Sequence, residues 1–122
     1  RDRVITGSYF IEVPRVKKLL QKPKFLARLY SPQEMKFLME KHFPVFNIAE
    51  MLCAKCAFIK AMGISATGIK MPEISVLTDY SGAYYISLAG KAKKAFAMKR
   101  ARISISCSHT RSIASAIVIF YE

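Results

Sequence analysis

A histidine in the last part of the chain lies among hydroxyl side chains that could bind a ligand. His109 follows a strand-like segment, and Ser106, Ser108 and Thr110 flank it. Imidazole and hydroxyl groups hydrogen-bond readily to phosphate or ribose, and an imidazole can also transfer a proton near neutral pH. A single histidine is nevertheless more often structural than catalytic. The other histidine, His42, has no comparable neighbours, and we expect it at the surface.

Two lysines lie in a segment whose apolar residues have helical spacing. One stripe of this helix comprises Ile48, Leu52, Ile59 and Met62. Lys55 interrupts the stripe, so its ammonium group either reaches solvent along an apolar stem or points into a ligand cleft. Lys60 lies one turn beyond Cys56, and taken alone it is a solvated surface charge.

Three cysteines complete the set of residues that could do chemistry. Cys53 and Cys56 form a Cys-x-x-Cys pair, but no second pair exists, and only Cys107 and His109 are distant further candidates. We therefore expect buried apolar thiols rather than a zinc site or a redox motif. The odd number of cysteines argues against the disulfide framework of a secreted protein.

The secondary structure that must position these residues consists of five strands and five helices. Alternating apolar residues predict strands over residues 4–13, 74–78, 84–88, 102–106 and 112–121. Helical spacing and end signals predict helices over residues 15–21, 24–30, 31–40, 48–62 and 90–99. This order predicts an α+β fold, with a mainly antiparallel sheet packed by helices, one of them long and central.

Local signals define several of these elements more closely. The inward face of the first strand is predicted to carry Ile5, Gly7, Tyr9, Ile11 and Val13. Ser31 and Glu34 have the spacing of a capping box, and Asn47 with Glu50 repeats it before the long helix, which Gly63 ends. Residues 107–111 are expected to form a corner between the last two strands.

Composition limits the size of the core and the kind of partner. The 122 residues are 52% apolar, and 20 Lys and Arg face 8 Asp and Glu, for a net charge of +12. We expect one domain, residues 1–122, whose apolar excess is covered by a sister subunit, and a polyanionic partner. The sequence has no apolar run of about 18 residues and begins with a strand rather than a secretory signal, so we expect a cytoplasmic or organelle-matrix protein.

Three stretches carry an ordered set of motifs. Residues 7–16 are Gly-Ser-Tyr-Phe-Ile-Glu-Val-Pro-Arg-Val, and residues 53–63 are Cys-Ala-Lys-Cys-Ala-Phe-Ile-Lys-Ala-Met-Gly. Residues 105–111 are Ile-Ser-Cys-Ser-His-Thr-Arg, followed by an alternating strand. In this order and spacing, the stretches resemble the opening strand, central helix and closing strands of the holo-acyl-carrier-protein synthase family. This is the small trimeric type of the 4'-phosphopantetheinyl transferase superfamily, and the resemblance spans nearly the whole chain.

The resemblance implies both a fold and a reaction. Members of this family have the 4'-phosphopantetheinyl transferase fold and are typically homotrimers that bind coenzyme A between subunits. They transfer the 4'-phosphopantetheine arm of coenzyme A to a serine of apo acyl carrier protein, in fatty acid biosynthesis, and release 3',5'-adenosine bisphosphate. Coenzyme A and acyl carrier proteins are both anionic, which accounts for the net charge of +12. No membrane partner is implied.

The same match implies roles for individual residues. It assigns catalytic roles to His109 and Lys55, and a contact with the carrier protein to Arg15, which would otherwise be a solvated charge. The residues expected to contact coenzyme A are Lys60, Ser106, Ser108, His109 and Thr110.

The magnesium ligands of the family are replaced in this chain. The family holds magnesium with a strand aspartate and a helix glutamate, and these positions are Tyr9 and Cys56 here. A neutral phenol and a thiol lack the hard anionic oxygen that magnesium prefers. Glu12 is an odd number of positions from Tyr9 and points to the other strand face. Losing only one carboxylate would leave the other buried without a cation. The two changes are therefore consistent with the loss of the whole metal site.

Three functional hypotheses remain open on the sequence alone. The first is an active transferase with an altered or substrate-held metal site. The second is a catalytically impaired relative that binds coenzyme A or carrier protein as a scaffold or regulator. The third, a basic nucleic-acid-binding module, rests on charge only, because no recognised nucleic-acid motif accompanies the lysines and arginines.

Overall fold

A computed structural model describes residues 3–122 and shows five strands and five α-helices. The strands are β1 (Val4–Glu12), β2 (Ile74–Thr78), β3 (Tyr84–Leu88), β4 (Arg102–His109) and β5 (Ile113–Tyr121). The helices are α1 (Val13–Leu19), α2 (Pro23–Leu29), α3 (Pro32–Glu40), α4 (Val45–Met62) and α5 (Gly90–Ala97). Two short 3-10 turns, Gly63–Ala66 and Met71–Glu73, lie between α4 and β2. The predicted α+β class and the long central helix are confirmed.

The strands form two antiparallel sheets rather than one. The larger sheet has the order β1-β5-β4, and β2 pairs with β3 in a separate hairpin. In the larger sheet Tyr9 is opposite Ala116, which is opposite Cys107, and in the next inward-facing row Ile11, Ala114 and His109 are aligned. Strands β1 and β4 are therefore the two edges of this sheet, with β5 between them.

Helix α4 packs across the inner face of the larger sheet. A Cβ atom at Gly7 of β1 would lie 2.1 Å from the carbonyl oxygen of Ala57 and 2.7 Å from the amide nitrogen of Ala61. Only glycine allows the strand to approach the helix backbone so closely. The predicted inward face of β1 is confirmed, because Ile5, Tyr9 and Ile11 pack against the core.

A buried ion pair joins α3, α4 and the hairpin. The side chains of Lys55 on α4 and Glu34 on α3 are both 0% exposed and form a salt bridge. The Lys55 ammonium also donates a hydrogen bond of 2.7 Å to the carbonyl of Ile74 and lies 5.0 Å from the centre of the Tyr30 ring. Oε2 of Glu34 accepts a hydrogen bond of 2.9 Å from the amide of Val76. The two charges thus have protein partners on α3, α4 and β2.

Several predicted boundaries differ from the structure, and two of these differences concern the site. Helix α4 begins at Val45 with Pro44 as its N-cap, so Asn47 and Glu50 do not cap it; their side chains instead bond to Tyr84. Strand β4 continues to His109, so the predicted corner begins only after that residue. In both cases contacts with another strand, β3 for α4 and β5 for β4, outweigh the local sequence signal. The capping box of Ser31 and Glu34 is confirmed.

The outer face of the larger sheet carries large exposed apolar side chains. This face is opposite α4, and its exposed apolar residues are Val4, Phe10, Ile113, Ile117 and Tyr121. We call this surface the outer sheet face. Phe10 is 69% exposed and Val4 66% exposed, which leaves a substantial apolar area uncovered in a single copy. No helix among residues 3–122 is long and apolar enough to span a bilayer.

Replacing Lys55 by methionine should test the buried ion pair. Lys55→Met leaves the Glu34 carboxylate without a cation, so we expect the free energy of unfolding at neutral pH to fall by about 3–5 kcal/mol. Burial raises the pKa of Glu34, and in the variant the lysine no longer opposes that shift. In the variant, Glu34 then binds a proton more tightly in the folded state than in the unfolded state. The loss of unfolding free energy should therefore shrink as pH falls and grow as pH rises through the folded-state pKa of Glu34.

Urea denaturation at mildly acidic and mildly alkaline pH measures both effects. The control is Lys36→Met, an exposed lysine of α3, which should change stability by less than about 0.5 kcal/mol. Adding Glu34→Gln to Lys55→Met should remove most of the pH dependence. A loss in Lys55→Met that does not change with pH would contradict the assignment of a buried, ionised pair.

Candidate active site

Two adjoining clefts open at the β1 edge of the larger sheet. The first, about 540 Å³, is lined by Ser8, Tyr9, Phe10, Lys60, Ser115, Ala116 and Ile117. The second, about 580 Å³, is lined by Tyr9, Phe10, Ile11, Glu12, Arg15, Lys18, Leu19 and Ile113. Tyr9 and Phe10 belong to both clefts, so together they form a continuous concave surface. We call this surface the β1-edge cleft.

Lys60 supplies a fixed positive charge in the β1-edge cleft. Its Nζ lies 5.4 Å from the centre of the Tyr9 ring, a cation–π arrangement, and the lysine is otherwise exposed. Cys56 lies one turn earlier on α4 and is half-buried. Burial raises the pKa of the Cys56 thiol, while the charges of Lys55 and Lys60 act in the opposite direction. Lys60 and Tyr9 are therefore in contact at the cleft, and Cys56 lies one helical turn before Lys60.

Two further cations extend this charge along α1. Arg15 and Lys18 lie on the exposed side of the helix and line the cleft, with Glu12 as the acidic residue beside them. Helix α1 follows β1 directly, with Pro14 in its first turn, so the strand and these cations have a fixed relative position. The β1-edge cleft is consequently suited to an anionic ligand.

Tyr9 and Cys56, at which the resemblance places the magnesium ligands, do not fit that ion. Magnesium is bound by carboxylate, carbonyl and water oxygens, whereas Tyr9 offers a phenol and Cys56 a thiol whose raised pKa keeps it protonated. Lys60, already over the Tyr9 ring, adds a positive charge that repels a cation. Within residues 3–122, no three His, Cys, Asp or Glu side chains are grouped to hold a metal ion.

A hydrogen-bonded network holds His109 at the β4 edge. Nδ1 of His109 lies 2.9 Å from Oε2 of Glu50, and the imidazole ring stacks on Phe46 with centroids 4.4 Å apart and an angle of 11°. Oε1 of Glu50 accepts a hydrogen bond of 3.1 Å from the Tyr84 hydroxyl, which accepts one of 2.9 Å from the Asn47 amide. The His109 side chain remains 41% exposed, so a ligand can reach it.

The hydroxyl residues near His109 do not share its surroundings. Ser106 and Ser108 are exposed and lie on the outer sheet face, where Ser108 Oγ is 3.1 Å from Ser115 Oγ. The Thr110 hydroxyl accepts hydrogen bonds from the backbone amides of Ser112 and Ile113, which stabilises the turn into β5. In one copy, therefore, His109 faces one side of the sheet and the two serines face the other.

Lys55, for which the resemblance implies a catalytic role, lies in the core and not in the β1-edge cleft. The sequence leaves two positions open for its ammonium group, solvent or a ligand cleft, and the structure shows neither. The group is enclosed by Glu34, Ile74 and Tyr30 and lines no part of the β1-edge cleft. Lys55 interrupts an apolar stripe of α4, as the sequence indicates. Its partner, Glu34, lies on another helix. The geometry gives Lys55 a structural role.

Of the three cysteines predicted to be buried, Cys53 is buried, whereas Cys56 and Cys107 are half-buried. Cys53, Cys56 and Cys107 are all free. Burial raises the pKa of Cys53 and that of Cys107, each to about 12. Thiols that stay protonated are poor nucleophiles and poor metal ligands, so these residues contribute packing rather than reactivity.

The predicted site residues fall into two groups at opposite edges of the sheet. Lys60, Tyr9 and Arg15 lie at the β1 edge and His109 at the β4 edge, with β5 between them. Two strand spacings amount to about 10 Å, and α4 covers the inner face between the edges. A single copy therefore does not bring Lys60 and His109 into one cleft.

Glu50 is a site residue that the sequence did not reveal. Its spacing from Asn47 is that of a capping box, which predicts a local role at the start of the helix. The structure shows instead a contact with His109, 59 positions away in the chain. The available signal was an acidic residue in an otherwise apolar stretch of the long helix, where a buried charge needs a partner.

Comparison with known proteins assigns the chain to a family. No family model matches it. The holo-acyl-carrier-protein synthase of Syntrophus aciditrophicus (strain SB) is 32% identical over 118 residues, which cover 93% of this chain and 92% of that protein. The synthase of Caldanaerobacter subterraneus subsp. tengcongensis is 33% identical, covering 95% of this chain and 93% of that protein.

Solved structures agree with the sequence matches. The holo-acyl-carrier-protein synthase from Neisseria meningitidis matches with a TM-score of 0.85 and 24% identity, over 97% of this chain and 98% of that chain. The synthase from Helicobacter pylori in complex with coenzyme A matches with a TM-score of 0.78 and 26% identity, over 95% and 99% of the two chains. The chain belongs to the holo-acyl-carrier-protein synthase family.

Proposed function

We propose that this protein transfers 4'-phosphopantetheine from coenzyme A to a serine of an apo acyl carrier protein. The observation that carries the proposal is the β1-edge cleft, where Lys60, Arg15 and Lys18 surround a concave surface in a member of this family. Coenzyme A carries a diphosphate and a further phosphate, and such groups bind well to fixed lysine and arginine side chains. The net charge of +12 favours the approach of both anionic substrates.

Lys60 and Arg15 bind different substrates. Lys60 contacts the phosphates of coenzyme A, because its ammonium group lies over the Tyr9 ring and lines the cleft. Arg15, exposed on α1, contacts the acidic carrier protein at the rim. The charge of Lys60 stabilises the negative charge that develops on the leaving 3',5'-adenosine bisphosphate. No step of this proposal passes through a metal ion.

The active assembly contains more than one copy, and we propose a homotrimer. A ligand bound at the β1 edge reaches a His109 only if a neighbouring copy presents its β4 edge, since the two edges of one copy are separated by β5 and α4. The uncovered apolar side chains of the outer sheet face, including Phe10 and Ile117, support such packing. Ser106 and Ser108 lie on that face and, with Thr110, contact coenzyme A from the neighbouring copy.

Three free cysteines and a fatty acid synthesis role support a reducing compartment, the cytoplasm or an organelle matrix.

A transfer assay tests the proposed activity directly. Lys60→Met should lower kcat/KM for coenzyme A by about tenfold to a hundredfold, since a charge-assisted contact contributes about 1.5–3 kcal/mol. The gain in mass of the carrier protein, followed by mass spectrometry, measures the product. Lys36→Met removes an exposed lysine of α3 and should leave the rate unchanged.

The same assay separates the active enzyme from an impaired relative. His109→Ala should lower kcat by about 10²- to 10⁴-fold, the usual contribution of a proton-transferring group. If the wild-type protein forms no product with any divalent metal, the proposed activity is wrong. Binding of coenzyme A without turnover would then favour a scaffold or regulator.

Restoring the missing carboxylates tests the conclusion about the metal. Magnesium and a chelator should leave the melting temperature of the wild-type protein unchanged, because Tyr9 and Cys56 do not bind the ion. The double variant Tyr9→Asp with Cys56→Glu should gain thermal stability when magnesium is added and lose it with a chelator. Differential scanning fluorimetry measures both. A magnesium-dependent shift in the melting temperature of the wild-type protein would show that this protein binds the ion and would contradict the conclusion.

Charged substitutions on the outer sheet face test the assembly. Phe10→Glu with Ile117→Glu should convert the trimer into monomers, because a carboxylate is not tolerated in an apolar interface. Sedimentation velocity measures the change in mass. Tyr80→Glu, at an equally large exposed aromatic side chain in the hairpin turn, is the matched control and should leave the trimer intact. A monomeric wild-type protein at assay concentrations would rule out the trimer.

A further inference from the structure

The carboxylate of Glu50 contacts one of the two ring nitrogens of His109. An ionised carboxylate can only accept hydrogen bonds, so the 2.9 Å contact between Glu50 Oε2 and His109 Nδ1 requires the hydrogen on Nδ1. The other ring nitrogen, Nε2, has no side-chain or backbone partner within residues 3–122. The side-chain exposures agree, since Glu50 is 12% exposed and His109 41% exposed. Glu50 is thus the more buried partner of the contact, and part of the His109 side chain is open to solvent.

The surrounding side chains hold this arrangement in place. Phe46 stacks on the imidazole at 4.4 Å, which restricts rotation of the ring out of its plane. The Tyr84 hydroxyl donates to the second oxygen of Glu50, and Asn47 donates to Tyr84 in turn. Burial raises the pKa of Tyr84, so its hydroxyl retains the proton that it donates. The carboxylate is thereby fixed at both oxygens.

We propose that Glu50 is a positioning residue for His109: it keeps the proton on Nδ1 and leaves Nε2 with a free lone pair directed outward, as a proton acceptor. This inference rests on the proposed transfer activity. It gives His109 the role of accepting a proton from a hydroxyl rather than that of donating to a phosphate. The arrangement has the logic of a carboxylate–histidine pair, in which the carboxylate sets the tautomer and stabilises the imidazolium.

The transfer step then has a defined proton path. The carrier serine hydroxyl gives its proton to Nε2 of His109 as its oxygen forms a bond to the phosphorus that bears pantetheine. The bond from that phosphorus to the bridging oxygen of the diphosphate breaks, and 3',5'-adenosine bisphosphate leaves with the electron pair. The imidazolium that results is stabilised by the Glu50 carboxylate, and its added proton passes to solvent after the products leave.

Nitrogen NMR of the intact protein tests the tautomer without any turnover. Long-range proton–nitrogen spectra distinguish a histidine protonated at Nδ1 from one protonated at Nε2. The chain has two histidines, and His42, which is exposed, serves as the internal reference. We expect the Nδ1–H form for His109 in the wild-type protein. In Glu50→Gln, its signals should move toward those of His42. A wild-type His109 protonated at Nε2, or a spectrum unchanged in Glu50→Gln, would overturn the proposal.

Kinetics supply the second measurement. Glu50→Gln should lower kcat by about tenfold to a hundredfold, part of the contribution expected of the histidine itself, with less than about a twofold change in KM for coenzyme A. Glu50→Asp should recover part of the rate. Combining Glu50→Gln with His109→Ala should be no slower than His109→Ala alone. Glu40→Gln, an exposed glutamate at the end of α3, is the matched control.

The outcomes distinguish this inference from the proposed function. A wild-type rate in Glu50→Gln overturns the positioning role while leaving the transferase intact. Absence of transfer by the wild-type protein defeats the proposed function, and the NMR measurement then still decides whether Glu50 sets the tautomer. Urea denaturation of Glu50→Gln controls for a loss of fold, because the isosteric amide keeps the volume of the side chain.

Discussion

The buried ion pair between Lys55 and Glu34 determines how the long helix is oriented. A lysine and a glutamate without solvent contact are stable only if each finds a partner of opposite charge and further hydrogen bonds. These come from three elements, since Glu34 lies on α3, Lys55 on α4, and the carbonyl of Ile74 and the amide of Val76 on β2. No buried side-chain nitrogen or oxygen within residues 3–122 lacks a hydrogen-bond partner. The pair consequently specifies one rotation of α4.

The orientation of α4 decides what the two edges of the sheet carry. Glu50 and Lys60 are ten positions apart on this helix, which corresponds to about 15 Å along its axis. Lys60 reaches Tyr9 at the β1 edge, and Glu50 reaches His109 at the β4 edge. One helix thus supplies the cation of the β1-edge cleft and the carboxylate that orients the histidine. The close approach at Gly7 makes both contacts depend on the same strand–helix packing.

Tyr9 and Cys56, at the positions where the resemblance places two carboxylates, have a physical consequence for the cleft. A carboxylate pair with a divalent cation and a neutral pair beside a lysine are two different ways of presenting positive charge to a phosphate. In this chain the charge comes from Lys60 over the Tyr9 ring, and the thiol of Cys56 is held protonated by burial. A lysine ammonium group polarises a phosphate less strongly than a divalent metal ion does, but it needs no carboxylates to hold it in place.

The sequence by itself determined the features that depend on local signals. Period-two alternation identified the inward face of β1, the Ser31–Glu34 box identified the start of α3, and the ordered motifs identified the family. Tertiary structure alone decided the partner of Lys55, the pairing of Glu50 with His109, and the separation of the site residues onto two edges. These features arise from contacts between residues that are 21 and 59 positions apart. Local spacing carries no information about such contacts, because burial and the need to satisfy charge are set only when distant elements pack together.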